Sequence, residues 1–354
     1  MQIDQKLGKL PFAIASRPLR IGRVALDGHV LLAPMSGITD VVMRRIARRM
    51  GAACVISEMI ASPELMRGSE EARLKLEGEG VSPHIVQIAG RDPHCMAEAA
   101  RLAELSGADV VDINMGCPAK RVARQLCGSA LMREPDLAER VVEAVARAVA
   151  LPVTVKMRLG FDATSLNAPE VARRCEAVGA LLISVHGRTR AQFYDGHADW
   201  AAVAAVKHAI GIPLIVNGDI VSAKDAATAL SLSDADGVMI GRAALGRPWL
   251  LGEIESALRG EPGRAPSLAA RCEVAIEHYR GLLSLYGVPL GIRHARKHLQ
   301  AYAAHALADV VDARGSAIKA ALMRSEQPLE VERLLREAFE LAGRAPAQCL
   351  ALAA

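Results

Sequence analysis

Aromatic side chains are scarce in this chain of 354 residues, which has four Phe, four Tyr and two Trp. That excludes an extended platform of stacked bases of the kind single-strand binders use. Long apolar runs are also missing. Stretches free of Asp, Glu, Lys and Arg reach only 12 residues (28–39 and 281–292), against roughly 20 for a membrane-spanning helix, so no membrane partner is expected. Residues 10–15 are too short an apolar core for a secretory signal. Seven scattered cysteines, an odd number, do not make a disulfide framework. A cytoplasmic monomer is the expectation. Neither sign of charge dominates: 43 Lys and Arg against 39 Asp and Glu leave +4, which permits a polyanionic partner without requiring one. No G-x-G-x-x-G and no Walker sequence occurs, which argues against an open doubly wound sheet carrying a nucleotide after its first strand.

What the chain does have is a repeat of short β-branched apolar runs, each followed by an Ala-, Arg- and Glu-rich amphipathic stretch. The runs are 30–34, 53–59, 84–89, 109–114, 153–157, 180–186, 213–217 and 236–240. Eight buried strands alternating with helices in about 250 residues predict a closed parallel (β/α)8 TIM barrel. Helices are expected at 40–50, 93–106, 135–150, 169–178, 199–209 and 222–230, with 63–80 a doubtful one. After Gly260 the alternation stops at Glu261-Pro262-Gly263-Arg264-Ala265-Pro266, a linker by composition. Residues 268–285, 292–305, 317–323 and 329–342 then carry helical periodicity only. The predicted organisation is a barrel over 1–255 and a small all-α helical domain over 262–345.

In such barrels function gathers at the C-terminal ends of the strands. Those ends hold Pro34 and Met35, Glu58, Gln87, Asn114 and Cys117, Lys156 and Arg158, His186 and Arg188, Asn217 to Asp219, and Gly241 with Arg242. A Lys, an Arg, a His and a Cys directly after apolar strands is more than loop polarity accounts for. Asn217-Gly218-Asp219 and Gly241-Arg242, at strands seven and eight, supply glycines and a guanidinium suited to a phosphate cradle. His84, His94 and Cys95 have no partner at ligand spacing, so no metal is expected.

Seven strings, in order and at consistent spacing, resemble the tRNA-dihydrouridine synthases, and the bacterial B-type branch most of all. They are Ala33-Pro34-Met35-Ser36-Gly37-Ile38-Thr39-Asp40, Gln87-Ile88-Ala89-Gly90, Asn114-Met115-Gly116-Cys117-Pro118, Val155-Lys156-Met157-Arg158-Leu159-Gly160, His186-Gly187-Arg188-Thr189-Arg190, Asn217-Gly218-Asp219-Ile220 and Gly241-Arg242. Cys127 stands where that family usually has Ala. The resemblance implies an FMN enzyme that reduces the C5–C6 bond of uridine in tRNA with NADPH, and a helical domain that binds the tRNA. Pro34, Met35 and Ser36 would then wrap the flavin, with Gln87, Lys156 and His186 beside it and Asn217, Gly218, Asp219, Gly241 and Arg242 at its ribityl phosphate. Cys117 matches the acid that protonates C5; a thiol mostly protonated at neutral pH suits that task. Asn114, Arg158 and Arg188 are candidates at the uracil, and Arg293, Arg296 and Lys297 on a tail helix are candidates for the RNA backbone. Arg121, Arg124, Arg190 and Arg247 also follow strand ends. From residue 262 onward the tail has 12 Lys and Arg against 9 Asp and Glu, a mild excess. A barrel reducing a free pyrimidine and a non-catalytic RNA binder on the same scaffold are the alternative readings.

Overall fold

The computed structural model describes residues 18–118, 127–263, 265–310 and 313–344. Eight parallel strands close into a ring: β3 (Val30–Leu32), β4 (Cys54–Ile56), β6 (His84–Ala89), β7 (Val110–Met115), β8 (Val153–Arg158), β9 (Ala180–His186), β10 (Leu214–Asn217) and β11 (Gly237–Ile240). The last strand pairs with the first, Met239 opposite Leu31 and Ile240 opposite Leu32. These are the eight apolar runs of the sequence. Alternate residues point inward, so Leu31, Cys54, Ile56, Ile85, Val110, Leu182, Ile215 and Met239 fill the barrel.

Two features depart from the expected pattern. The second run does not stay a strand to residue 59: it breaks after Ile56 and resumes as β5 (Ile60–Ala61), again beside β6. At the break the Ser57 hydroxyl, not a backbone carbonyl, accepts from Gln87 N at 2.9 Å. The chain bulges there, and the Glu58 carboxylate accepts from Gly37 N at 2.8 Å. The doubtful helix at 63–80 is two short ones, α2 (Ser62–Met66) and α3 (Glu70–Leu76). Also unforeseen is a hairpin of β1 (Arg20–Ile21) and β2 (Val24–Ala25), whose Leu19, Ile21 and Leu26 join the barrel core. Strands of two residues leave no periodicity to read.

The outer helices are α1 (Val41–Arg49), α4 (Pro93–Leu105), α5 (Pro135–Ala148), α6 (Ala168–Ala177), α7 (Trp200–Lys207) and α8 (Ala223–Ser233). Asp40, Asp92, Asp199 and Ser222 cap four of them by accepting first-turn N–H groups, as the sequence leads one to expect. A further helix, α9 (Leu250–Leu258), follows β11. Its Glu255 is buried and one carboxylate oxygen accepts from His29 N at 2.7 Å and Val30 N at 2.9 Å, at the start of β3.

The chain divides into two compact units, Met1–Gly241 with Leu251–Gly263, and Arg242–Leu250 with Arg264–Ala354. The second contains α10 (Leu268–Tyr286), α11 (Val288–Ala306), α12 (Ala313–Arg324) and α13 (Pro328–Arg344). It includes the segment directly after the last strand, which composition assigns to the barrel. No helix among the described residues is long and apolar enough to cross a membrane.

Glu255→Ala leaves two buried N–H groups without an acceptor. Each such loss costs about 1–3 kcal/mol, so urea unfolding should show a drop of roughly 2–6 kcal/mol. Glu255→Gln, which keeps an acceptor oxygen, should lose less.

Candidate active site at the barrel mouth

Gln87, Asp112 and Thr154 lie opposite one another on β6, β7 and β8, level with the core residue Leu182 on β9. They face the barrel interior as its first polar layer. The Asp112 carboxylate is 1% exposed and accepts from Thr154 Oγ1 and from Gln87 Nε2, both at 2.6 Å. A carboxylate can only accept, which fixes the Gln87 amide with its oxygen turned away. Gln87 Oε1 accepts from Asn114 Nδ2 at 2.7 Å. The Asn114 oxygen is then free to accept from Gly116 N at 3.1 Å and Cys117 N at 2.9 Å. From the other side Cys117 O accepts from Ser129 Oγ at 2.8 Å. The backbone of Cys117 is thus held at both ends just past β7, and its side chain is partly exposed. Burial pushes the Asp112 pKa up, against the Gln87 and Thr154 hydrogen bonds and the charge of Lys156.

One step along the next strand, Lys156 sits opposite Asn114 and Ser184. Its ammonium donates to Asn217 Oδ1 at 3.1 Å, and Asn217 Nδ2 donates to Met239 O at 2.7 Å. Burial, and next the Arg158 charge, lower the Lys156 pKa to about 8, while Asp112 and Cys117 act the other way. An ammonium has three donors; among the described residues Lys156 donates to Asn217 alone. An acceptor-rich ligand fits that deficit. Gly218 has φ +118°, and a Cβ there would come within 2.8 Å of both Ala198 and the His186 ring. The turn after β10 therefore runs close to its neighbours and requires glycine. A Cβ on Gly241 would meet only Met35 and Ala33, at 3.8 and 3.9 Å, so the end of β11 is open.

Arg158 and Arg188, expected at the uracil, are each 2% exposed and fasten loops. Arg158 donates to Gly116 O, Thr189 O and Phe193 O at 2.8–2.9 Å, joining the loops after β7 and β9. Arg188 pairs with both carboxylate oxygens of Asp219 at 3.0 and 2.6 Å and also donates to Asp195 O and Gly196 O. The Asp219 carboxylate, expected beside a phosphate, is engaged with Arg188 and with Ala198 N at 2.8 Å. Asp219 adopts φ +54°, a strained geometry for a non-glycine residue, and that bidentate pair holds it there. Met35 N donates to Thr39 Oγ1 at 2.9 Å; Pro34 is half-buried and Ser36 exposed. Arg242 begins a 3-10 turn after β11. In the helical unit Arg293 and Lys297 are exposed one turn apart on α11, with Arg296 half-buried. Arg121 and Arg124 lie outside the described residues.

The residues that sequence reasoning missed are Asp112, Thr154 and Ser129. Asp112 did leave a signal, an acid in the middle of the apolar strand Val110-Val111-Asp112-Ile113.

The closed (β/α)8 barrel thus gathers an ammonium, a thiol and a chain of side-chain amides at its strand ends, an arrangement suited to an enzyme. The comparisons narrow this: the family model "Dihydrouridine synthase (Dus)" matches residues 31–342, and the chain belongs to that family. A probable tRNA-dihydrouridine synthase of Rhizobium leguminosarum bv. phaseoli is 49% identical over 317 residues, 90% of this chain and 97% of the other. tRNA-dihydrouridine synthase B of Xanthomonas axonopodis pv. citri is 42% identical over 333 residues, 93% and 98% of the two chains. Among solved structures, a morphinone reductase variant in complex with tetrahydroNAD aligns with TM-score 0.51 and 15% identity over 68% of this chain and 90% of its own. That likeness is one of fold.

Two outcomes follow from this geometry. Gln87→Glu sets an oxygen against the Asp112 carboxylate where a donor stood. Urea unfolding at pH 7 should show a loss of about 1–3 kcal/mol, smaller at pH 5, where a proton bridges the two acceptors. Lys156 is charged below about 8 when folded and below the ordinary 10.5 when unfolded. Between those values the unfolded chain binds the extra proton, so stability rises with pH. Wild type should therefore gain on Lys156→Met as pH climbs from about 8 to 10.5; denaturant titrations across that window check the sign.

Proposed function

We propose that this chain reduces uridine to 5,6-dihydrouridine in tRNA, with FMN held at the barrel mouth, NADPH as the reductant and Cys117 as the acid. The observation that carries the reading is the clamped, partly exposed Cys117 just past β7, three residues beyond Asn114, which lies opposite a half-buried Lys156 whose ammonium has one acceptor among the described residues. When bound, the flavin supplies a hydride to C6 of the uracil and is restored by NADPH.

The chain's own residues do the rest. Lys156, with Asn217 fixing its direction, offers donors and positive charge to the cofactor's acceptor edge, the protein's usual means of tuning a flavin. Gln87 is oriented by Asp112, and His186 packs against Gly218. The residues at the ends of β10 and β11, Asn217, Gly218, Asp219 and Gly241 with Arg242 next in the chain, would hold the ribityl phosphate largely through backbone N–H groups. Pro34, Met35 and Ser36 would border the ring. The Cys117 S–H gives its proton to C5, taking up the electron pair that hydride addition at C6 leaves there. Asn114 serves that step by fixing the Cys117 backbone. Arg158 and Arg188 would shape the uracil's entrance through the loops they fasten. The helical unit, with Arg293, Arg296 and Lys297 on α11, would hold the RNA while a uridine is extruded.

The test separates the half-reactions. Cys117→Ala should accept reducing equivalents from NADPH at a near wild-type rate, because hydride delivery to a flavin needs no thiol. Mixed with unmodified tRNA in the absence of oxygen, the pre-reduced variant should reoxidise about 10²–10⁴-fold more slowly, the usual worth of a general acid. Cys117→Ser should be slow as well, since an alcohol is the weaker acid. Wild-type reoxidation in both variants would remove Cys117 from the chemistry.

A further inference from the structure

The helical unit contains a cavity of about 190 Å3, lined by Gly246, Arg247, Trp249, Arg271, Tyr302, His305, Ala306 and Phe339. Three elements bring basic side chains to it: the segment after β11 gives the Arg247 guanidinium, α10 gives the Arg271 guanidinium and α11 gives the His305 imidazole. No carboxylate is in the lining. The Arg271 guanidinium lies over the Trp249 ring at 5.4 Å. Its Nε donates to Pro266 O at 2.7 Å, its one hydrogen bond among the described residues. Of five N–H donors on a guanidinium, four are left for a ligand. His305 Nε2 lies 3.2 Å from Leu245 O; a carbonyl only accepts, so Nε2 carries the hydrogen and Nδ1 faces away from that bond. Burial first, then the Arg247 charge and more weakly that of Arg271, push the His305 pKa down against its hydrogen bond to Leu245. The approach of Arg247 is fixed by Gly246, at φ +72°, where a Cβ would stand 2.7 Å from Tyr302 N. A cation at the C-terminal end of α11 is ordinary dipole compensation, but that accounts for His305 alone and not for two arginines arriving from other elements.

We propose that this cavity is a phosphate-binding site, with Arg271 and Arg247 as its donors and His305 at its edge. At roughly 30 Å3 for a water molecule, it has room for a tetrahedral oxyanion. Guanidiniums suit phosphate because their N–H groups match its oxygens in pairs. The phosphate comes from an RNA backbone or is free in solution; the first source rests on the tRNA reading above, and the second does not.

The experiment uses the full chain with two probes, an unmodified tRNA transcript and inorganic phosphate. The variants are Arg271→Gln and His305→Glu, the second at an exposed position where folding is not at stake. If the site takes an RNA phosphate, both variants bind the transcript about ten-fold more weakly. The slope of log affinity against log salt also falls in magnitude by roughly 0.7–0.9. If it takes free phosphate, replacing chloride by phosphate at equal ionic strength raises the unfolding temperature of wild type and not of the variants, with transcript binding unchanged. Wild type insensitive to phosphate, together with variants of wild-type transcript affinity and slope, overturns the proposal. Should wild type bind no transcript, the tRNA reading fails and the phosphate arm decides the cavity by itself.

Discussion

The Asp112 carboxylate has no hydrogen to give, and the polarity of the barrel mouth follows from that. Because both its oxygens must accept, the amide of Gln87 has one permitted orientation, the amide of Asn114 has one, and the last acceptor in the sequence falls on the backbone N–H groups of Gly116 and Cys117. A chain of neutral amides without an acid at its root could run either way. Burying an ionisable group costs several kcal/mol unless its hydrogen bonds are complete. Thr154 and Gln87 complete them, with the charge of Lys156 in support. The polar layer therefore orients the thiol from below while the loops above remain open to a ligand.

Those loops are held by two buried arginines that work differently. Arg158 donates to three backbone carbonyls, so the loops after β7 and β9 meet on one guanidinium. Arg188 uses a charge pair, and Asp219 takes up a left-handed backbone to complete it. Removing either partner of a desolvated pair strands the other, a larger penalty than the pair's own net worth. Rigid surroundings of this kind suit a reaction that depends on placing one proton donor accurately.

The alternation of apolar runs and amphipathic stretches made the eight strands and six of the outer helices legible. The polar strand ends gather on one face of the barrel, the one the sequence singles out. Direction was harder to read. Arg158 and Arg188 looked like cations facing a substrate, since sequence shows a charge at a strand end but not the carbonyls that surround it. Asp112 was passed over as part of an apolar run, although an acid at an inward position of a buried strand is the costliest residue in it. The break at Ser57 was invisible because a hydroxyl took the place of a ladder carbonyl, which no periodicity records.

Glu255 accepts from His29 and Val30 across more than 220 positions of chain. At about 5–20 residues per second, a ribosome takes on the order of ten to forty seconds to travel that distance. Throughout that interval the first barrel strand, an apolar Val30-Leu31-Leu32, lacks its capping carboxylate, and for nearly all of it its partner β11 as well. An unpaired apolar edge is a template for pairing with other chains. The nascent protein thus spends most of its synthesis with an open ring, and its hazard of association is set by the time needed to reach the strand that closes it.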